Sequence, residues 1–149
     1  MVEGTRHSSA KTYVVCNGKF LLHIHKKLNK WLPVGGHIDR EELPHDASVR
    51  EVKEKTGLDV NFFLAKELLK TSSASEIIPP YKMGLYNLNP FHQNIDMVFP
   101  AKAERLEFVI PEGESDKMKW FSGEDIKNFD SLPEDVRVLA LEDSEVAGK

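Results

Sequence analysis

The chain has 149 residues, 40% hydrophobic and 30% charged, with a formal net charge of −4 at pH 7. A chain of this size forms one domain with its own core, and without a basic block it excludes a dedicated surface for polymeric nucleic acid. Its one cysteine, Cys16, excludes an internal disulfide framework, and no apolar run reaches the ~20 residues of a membrane span. A cytoplasmic setting is expected, with no signal peptide before the first strand and no membrane contact.

Residues 1–10 are polar and read as a flexible N-terminal tail. From Thr12 to Cys16 the chain is β-branched and aromatic, Asn17-Gly18 marks a tight turn, and Lys19 to His25 resumes as strand. Alternation puts Phe20, Leu22 and Ile24 on one face of that strand, and Leu21, His23 and His25 on the other. His23 and His25 can be read as a metal pair. Without a third ligand nearby, they read better as histidines on the more solvated face. His25-Lys26-Lys27 then brings positive charge ahead of Trp31-Leu32-Pro33-Val34-Gly35-Gly36.

Gly36 opens the stretch around which the chain is organised, first as a glycine loop. Pro44 suits the first turn of a helix, where its missing N–H costs nothing, and Gly57 suits the left-handed position past the helix end. On the helix between them, Glu51, Glu54 and Lys55 project from one side, Arg50 adjoins them, and Glu42 approaches from the loop. Carboxylates gathered this way supply the oxygen ligands that a hard cation such as Mg²⁺ takes, often together with phosphate.

Beyond the helix, Val60 to Leu69 begins as a strand and Thr71 to Ser75 is a polar loop. Ile77-Ile78-Pro79-Pro80-Tyr81 cannot be a central strand and suits a pocket rim. Lys82 to Asn87 reads as a short strand, Asn89-Pro90 as a turn, and Phe91 to Phe99 as a long, mostly buried strand. Residues 92, 94 and 96 share one face of that strand. Glu104 to Ile110 reads as continuing a sheet hairpin, and Pro111 to Asp116 as an acidic loop. A strand carrying Trp120, Lys117 to Phe121, comes next. Pro133 to Leu141 is an amphipathic helix with Val136, Leu139 and Ala140 on its apolar stripe, and residues 143–149 form a loose tail. The order predicts a single domain over residues 11–142, a mixed sheet sandwiched between helices.

The stretch from Gly36 to Leu58 resembles the Nudix box, G-x5-E-x7-R-E-U-x-E-E-x-G-U with U aliphatic. Gly36, Glu42, Arg50, Glu51, Val52, Glu54, Gly57 and Leu58 stand at its spacings. So many specified positions over so long a span form a far stronger signal than a lone glycine motif. The resemblance extends from Tyr13 to about Leu141. It implies an α/β (α+β) fold, a Nudix-like α/β/α sandwich with a mixed β-sheet between helices. It also implies a Mg²⁺- or Mn²⁺-dependent hydrolase. Such an enzyme cleaves the pyrophosphate linkage of a nucleoside diphosphate derivative or a nucleoside triphosphate.

Carried onto these residues, the resemblance makes Glu51 and Glu54 the principal metal ligands and Glu42 an outer ligand. Glu51 or a bound-water network is the base, and Arg50 orients the glutamates. Gly35 and Gly36 would let the backbone approach substrate phosphates, or fix chain direction as a glycine turn. His92-Gln93-Asn94-Ile95-Asp96 after Asn89-Pro90 is similar to the His-x-His-Ile-Asp run of one bacterial and archaeal Nudix subgroup. That likeness implies His92 and Asp96 in the substrate cleft; a hydrogen-bonded polar set at a strand edge is the alternative. Phe91 or Tyr81 would stack on a base.

Lys55 stands where the box has its second glutamate. It removes a ligand and brings a cation. Its ammonium would swing into water, pair with a glutamate in competition with metal, or contact substrate phosphate. The alternative function is therefore a catalytically weak or silent Nudix-fold nucleotide-binding or regulatory module. Glu112 or Glu114 of the acidic loop would supply a supplementary carboxylate. The partner is a small-molecule nucleotide, and monomer and homodimer both fit.

Overall fold

The computed structural model describes residues 5–26, 28–63, 67–112 and 117–147. Its organising strand is β1 (Thr5–Cys16), which turns through Asn17-Gly18 into β2 (Lys19–Ile24). Both turn residues have positive φ, 50° and 73°, as a tight hairpin requires. β3 (Trp31–His37) follows, then helix α1 (Pro44–Thr56), β4 (Val60–Phe62), β5 (Lys82–Asn89) and β6 (His92–Ala103). β7 (Met118–Phe121), α2 (Gly123–Asn128) and α3 (Glu134–Ala147) complete the chain.

One mixed sheet runs β4-β6-β1-β3-β2-β7, with β5 paired to β6. Among the described residues β1 and β6 form the one parallel pair, with His7 opposite Asn94, Ser9 opposite Asp96 and Lys11 opposite Val98. β3 is shared along its length: residues 31–33 pair with β2, and residues 34–37 pair with β1. Gly35 therefore has no partner on β2.

Alternation divides the apolar side chains between two layers. Val14, Cys16, Leu21 and Val34 pack with Val52 of α1 on one face. Tyr13, Val15, Phe20 and Leu22 pack on the other with Ile126 of α2 and with Val136 and Ala140 of α3. Ala10 and Ala47 let β1 and α1 approach closely, and the Thr12 and Ser48 hydroxyls hydrogen-bond between them. The predicted sandwich and the stripe on α3 are both found.

Three expectations need correction. The predicted tail of residues 1–10 enters the sheet at Thr5, between β6 and β3, so the domain begins before residue 11. Residues 5–10 are in register with β6 throughout, and residues 9 and 10 with β3 as well, and that pairing holds a segment too polar to have read as strand. The predicted loose tail of 143–149 is helical as far as Ala147. Residues 1–4 and 148–149 lie outside the described residues. Finally, Glu104 to Ile110 forms no sheet hairpin. It crosses the end of α1, where Val109 N–H donates to Thr56 O at 2.8 Å and Arg105 Nη2 to Gly57 O at 3.1 Å. Neither carbonyl has a backbone partner within the helix, although Lys53 Nζ also donates to Gly57 O at 3.3 Å. Among the described residues, no helix is long and apolar enough to cross a membrane.

Candidate active site

Helix α1 begins with Pro44 in its first turn and ends at Gly57, whose φ of 76° is the left-handed cap predicted for it. Residues 50, 51, 54 and 55 share a face because they are neighbours at helical spacing. Arg50 is the hub. Its guanidinium binds Glu42 through two parallel bonds, Nε to Oε2 at 2.7 Å and Nη2 to Oε1 at 2.9 Å. Nη1 donates to Glu51 Oε1 at 2.9 Å and to Glu54 Oε2 at 3.3 Å, and Nη2 reaches His37 O at 3.2 Å. One planar fork thus hydrogen-bonds three carboxylates and a strand end, with Asp39 Oδ2 a fourth carboxylate 3.6 Å from Nη2. Hydrogen bonding to Arg50 holds the Glu42 carboxyl below its ordinary range. The same bond, assisted by Glu51, raises the guanidinium's proton affinity further.

The two glycines of β3 serve this cluster by lacking side chains. They sit in strand rather than in the predicted loop, with no φ that demands glycine. A Cβ on Gly36 would overlap the Glu51 carboxylate, only 2.5 Å from Cδ and 2.8 Å from Oε2. A Cβ on Gly35 would overlap the Ala10 carbonyl and lie 2.8 Å from Lys11 Cδ. Glu51 is buried against Gly36. Lys55 donates from Nζ to the Gly35 carbonyl and lies 3.4 Å from Glu51 Oε2. Of the three outcomes expected for Lys55, the structure displays pairing with a glutamate.

On the sheet face opposite α1 lies a cleft of about 650 Å³. Its floor follows from strand alternation: His7, Ser9 and Lys11 on β1, beside His92, Asn94 and Asp96 on β6. Asp135 and Leu139 of α3 and Tyr86 and Leu88 of β5 form walls. Gly35, Gly36 and Lys55 line its inner edge, so the glycine pair separates the cleft from the carboxylates, and Lys55 touches both. Lys55 comes from the α1 layer, and Gly35, unpartnered on β2, is the point where it reaches the cleft. Ser9 Oγ, Asn94 Oδ1 and Asp96 Oδ1 are buried without a hydrogen-bond partner among the described residues. Burying such atoms unpaired costs about 1–3 kcal/mol each, which marks a surface shaped for a ligand.

Burial lowers the Lys11 pKa; Asp96 opposes that shift and Lys55 adds to it. Burial likewise raises the Asp96 carboxyl against the pull of Lys11. His23 is buried rather than solvated, and burial, then Lys55, His25 and Lys11, push it down to about 4. It is neutral at neutral pH.

Glu42, Arg50, Glu51, Glu54 and Lys55 are thus brought together, and Gly35, Gly36, His92 and Asp96 border the cleft. Other candidates are not brought in. Phe91 is half-exposed in the β5–β6 turn, where its N–H donates to Asn89 Oδ1, and neither it nor Tyr81 lines the cleft. Glu112 is exposed and bonds to no member of the cluster, and Glu114 lies outside the described residues. Lys11 and Ser9 were missed because they fall at the edge of the supposed tail. The available signal was period-two alternation, with His7, Ser9 and Lys11 interleaved among small residues.

The carboxylates of Glu42, Glu51 and Glu54 fit a hard divalent cation in chemistry, all being oxygen donors on one face. Among the described residues no group of three or more His, Cys, Asp or Glu is already arranged around a metal position. The donors are instead committed to Arg50 and Lys55. Glu54, more than half exposed, is the least committed. To take an ion, Glu51 has to release the Lys55 ammonium.

Residues 5–141 match the NUDIX domain family. The chain is 36% identical to a hydrolase of the NUDIX family from Clostridium perfringens, covering 96% of this chain and 99% of that one, with a TM-score of 0.83. A MutT protein from Methanosarcina mazei Go1 shares the fold at 19% identity, over 100% of both chains, with a TM-score of 0.74. A MutT NUDIX hydrolase from Burkholderia pseudomallei does so at 18% identity, over 93% of this chain and 98% of that one, with a TM-score of 0.67.

Proposed function

This chain belongs to the Nudix family of hydrolases, and on that premise we propose that it cleaves the pyrophosphate linkage of a nucleotide with Mg²⁺ or Mn²⁺ as cofactor. The substrate is a nucleoside triphosphate or a nucleoside diphosphate derivative. The observation that carries this reading is the gathering of Glu42, Glu51 and Glu54 by Arg50 beside a cleft lined with lysine and histidine.

Glu51 and Glu54 would hold the divalent ion, with Glu42 outside them. The bound ion supplies polarisation of phosphoryl oxygens and a more acidic water. Arg50 positions the carboxylates through bonds whose geometry the planar guanidinium fixes. His92, Asn94 and Asp96 contact the non-phosphate end of the nucleotide in the cleft. A small-molecule nucleotide is the partner, without membrane or polymeric nucleic acid, in the cytoplasm, for a monomer or homodimer.

The test is phosphate or pyrophosphate release across a nucleotide panel with Mg²⁺ and with Mn²⁺, comparing wild type, Glu54→Gln and Lys55→Glu. Turnover in wild type that disappears in Glu54→Gln is the expected result, and turnover retained in that variant overturns the assignment. Lys55→Glu exchanges a cation for a carboxylate beside Glu51 and should tighten Mn²⁺ binding by about tenfold or more, about 1.4 kcal/mol. The contact between Lys55 and Glu51 also favours a second reading, a nucleotide-binding module with little hydrolysis. That reading requires nucleotide binding to persist in chelator and wild-type turnover to be absent.

A further inference from the structure

Lys11 is a cation with no assigned task. It sits on β1 opposite Gly35, and its aliphatic stem covers that glycine so closely that a Cβ there would meet Lys11 Cδ at 2.8 Å. Among the described residues its ammonium forms no ion pair with any carboxylate, although Asp96 faces it across the cleft floor. Lys55 reaches the same glycine from the opposite layer, donates to its carbonyl, and lines the same cleft. The Lys11 stem and the Lys55 ammonium thus meet at Gly35 from its two sides, at the boundary between cleft and carboxylates. The two lysines sense one another's charge, and both sense Glu51.

Like charges brought together in a half-buried site repel unless an anion lies between them. Asp96 and Glu51 supply negative charge on the flanks, but Lys11 is paired with neither of them. We propose that Lys11 and Lys55 form a two-lysine receptor for the pyrophosphate group of the ligand, straddling Gly35. This rests on the pyrophosphohydrolase reading for the identity of the anion, not for its existence. The receptor supplies by two cations part of the neutralisation that a glutamate at position 55 would have left to bound metal. It also gives Lys55 a second partner, so that an arriving phosphoryl group draws the ammonium from Glu51 and frees that carboxylate. Ligand binding and cation binding at Glu51 are then coupled in the same direction, as linkage requires of two events that favour one position of Lys55.

The experiment is calorimetric titration of the whole protein with inorganic pyrophosphate in chelator, so that no metal contributes. Wild type should bind, and Lys11→Met and Lys55→Met should each weaken binding by about tenfold or more, the loss of one charge-assisted hydrogen bond. Lys53→Met, which removes an equal charge from the far side of α1 near Asp59, should change it less than about threefold. If Lys11 serves only to balance Asp96, Lys11→Met will unfold more easily yet bind pyrophosphate as wild type does, and the proposal falls. It falls equally if wild type fails to bind in chelator, or if Lys53→Met weakens binding as much as the other two. Should Lys11→Met not fold, Lys55→Met against Lys53→Met decides alone. Failure of the pyrophosphohydrolase reading is a separate result, read from metal-dependent turnover in wild type and Glu54→Gln.

Discussion

Replacing Gly36 by alanine adds one methyl group at the point where β3 meets the Glu51 carboxylate. The added carbon would lie 2.5 Å from Glu51 Cδ and 2.8 Å from Oε2. Contacts that short do not survive, so either β3 or the carboxylate moves. β3 cannot move cheaply, because Gly36 pairs with Ala10 in the middle of the sheet. Glu51 therefore shifts, by roughly half an ångström or more at Cδ, and its bond to Arg50 is disturbed with it. Overpacking of this kind costs about 1–3 kcal/mol in folding stability, and misplacing a group in the reaction by ~1 Å costs about 10²-fold in rate. Urea unfolding and kcat/KM on the best nucleotide of the panel measure the two effects. Gly84→Ala is the comparison, because its added carbon would meet nothing within 4 Å. Gly36→Ala with the stability and turnover of Gly84→Ala would refute the idea that the missing side chain makes room for Glu51.

Two further outcomes follow from the same geometry. Arg50→Met leaves Glu42 and Glu51, both mostly buried, without their shared donor, and should cost about 1.5–3 kcal/mol in urea unfolding together with most of the turnover. His23, held neutral down to about 4 against an ordinary 6.5, contributes stability that is fully present above pH 6.5. As pH falls from 6.5 toward 4 the unfolded chain takes the proton while the folded one does not. About 2 kcal/mol should therefore be lost between pH 7.5 and 5, and His23→Gln should reduce that slope in urea unfolding.

What was legible in the sequence was the part dictated by local rules. Pro44 and Gly57 bracket α1, Asn17-Gly18 turns the first hairpin, and helical spacing gathers Arg50, Glu51, Glu54 and Lys55. The cleft floor was half legible. The face shared by His92, Asn94 and Asp96 is a matter of period two, but their neighbours on β1 come from a parallel pairing that no local signal announces. Residues 5–10 looked like a tail because His7 and Ser9, on the face toward the cleft, are polar, and of Arg6, Ser8 and Ala10 on the other face Ala10 alone is apolar and buried. Hydrophobic periodicity is weakest where a strand carries the binding surface. Phe91 lies at the surface, outside the cleft lining, since an aromatic residue beside a turn has no core to enter.

The glycine pair connects the two halves of the site. The carboxylates of Glu51 and Glu54 belong to α1 on one face of the sheet, the cleft lies on the other, and Gly35, Gly36 and Lys55 stand where the two meet. Gly36 is bare toward Glu51 and Gly35 toward Lys11, alternate faces of one strand, and the loss of both side chains opens the sheet from both sides at adjacent positions. Lys55 makes use of that opening. A glutamate in its place would add to the negative charge already borne by Glu42, Glu51 and Glu54. Lysine offsets it and extends positive charge toward the cleft. The departure from the box therefore redistributes charge across the opening, leaving the helix side less negative and the cleft edge more positive than a glutamate at position 55 would.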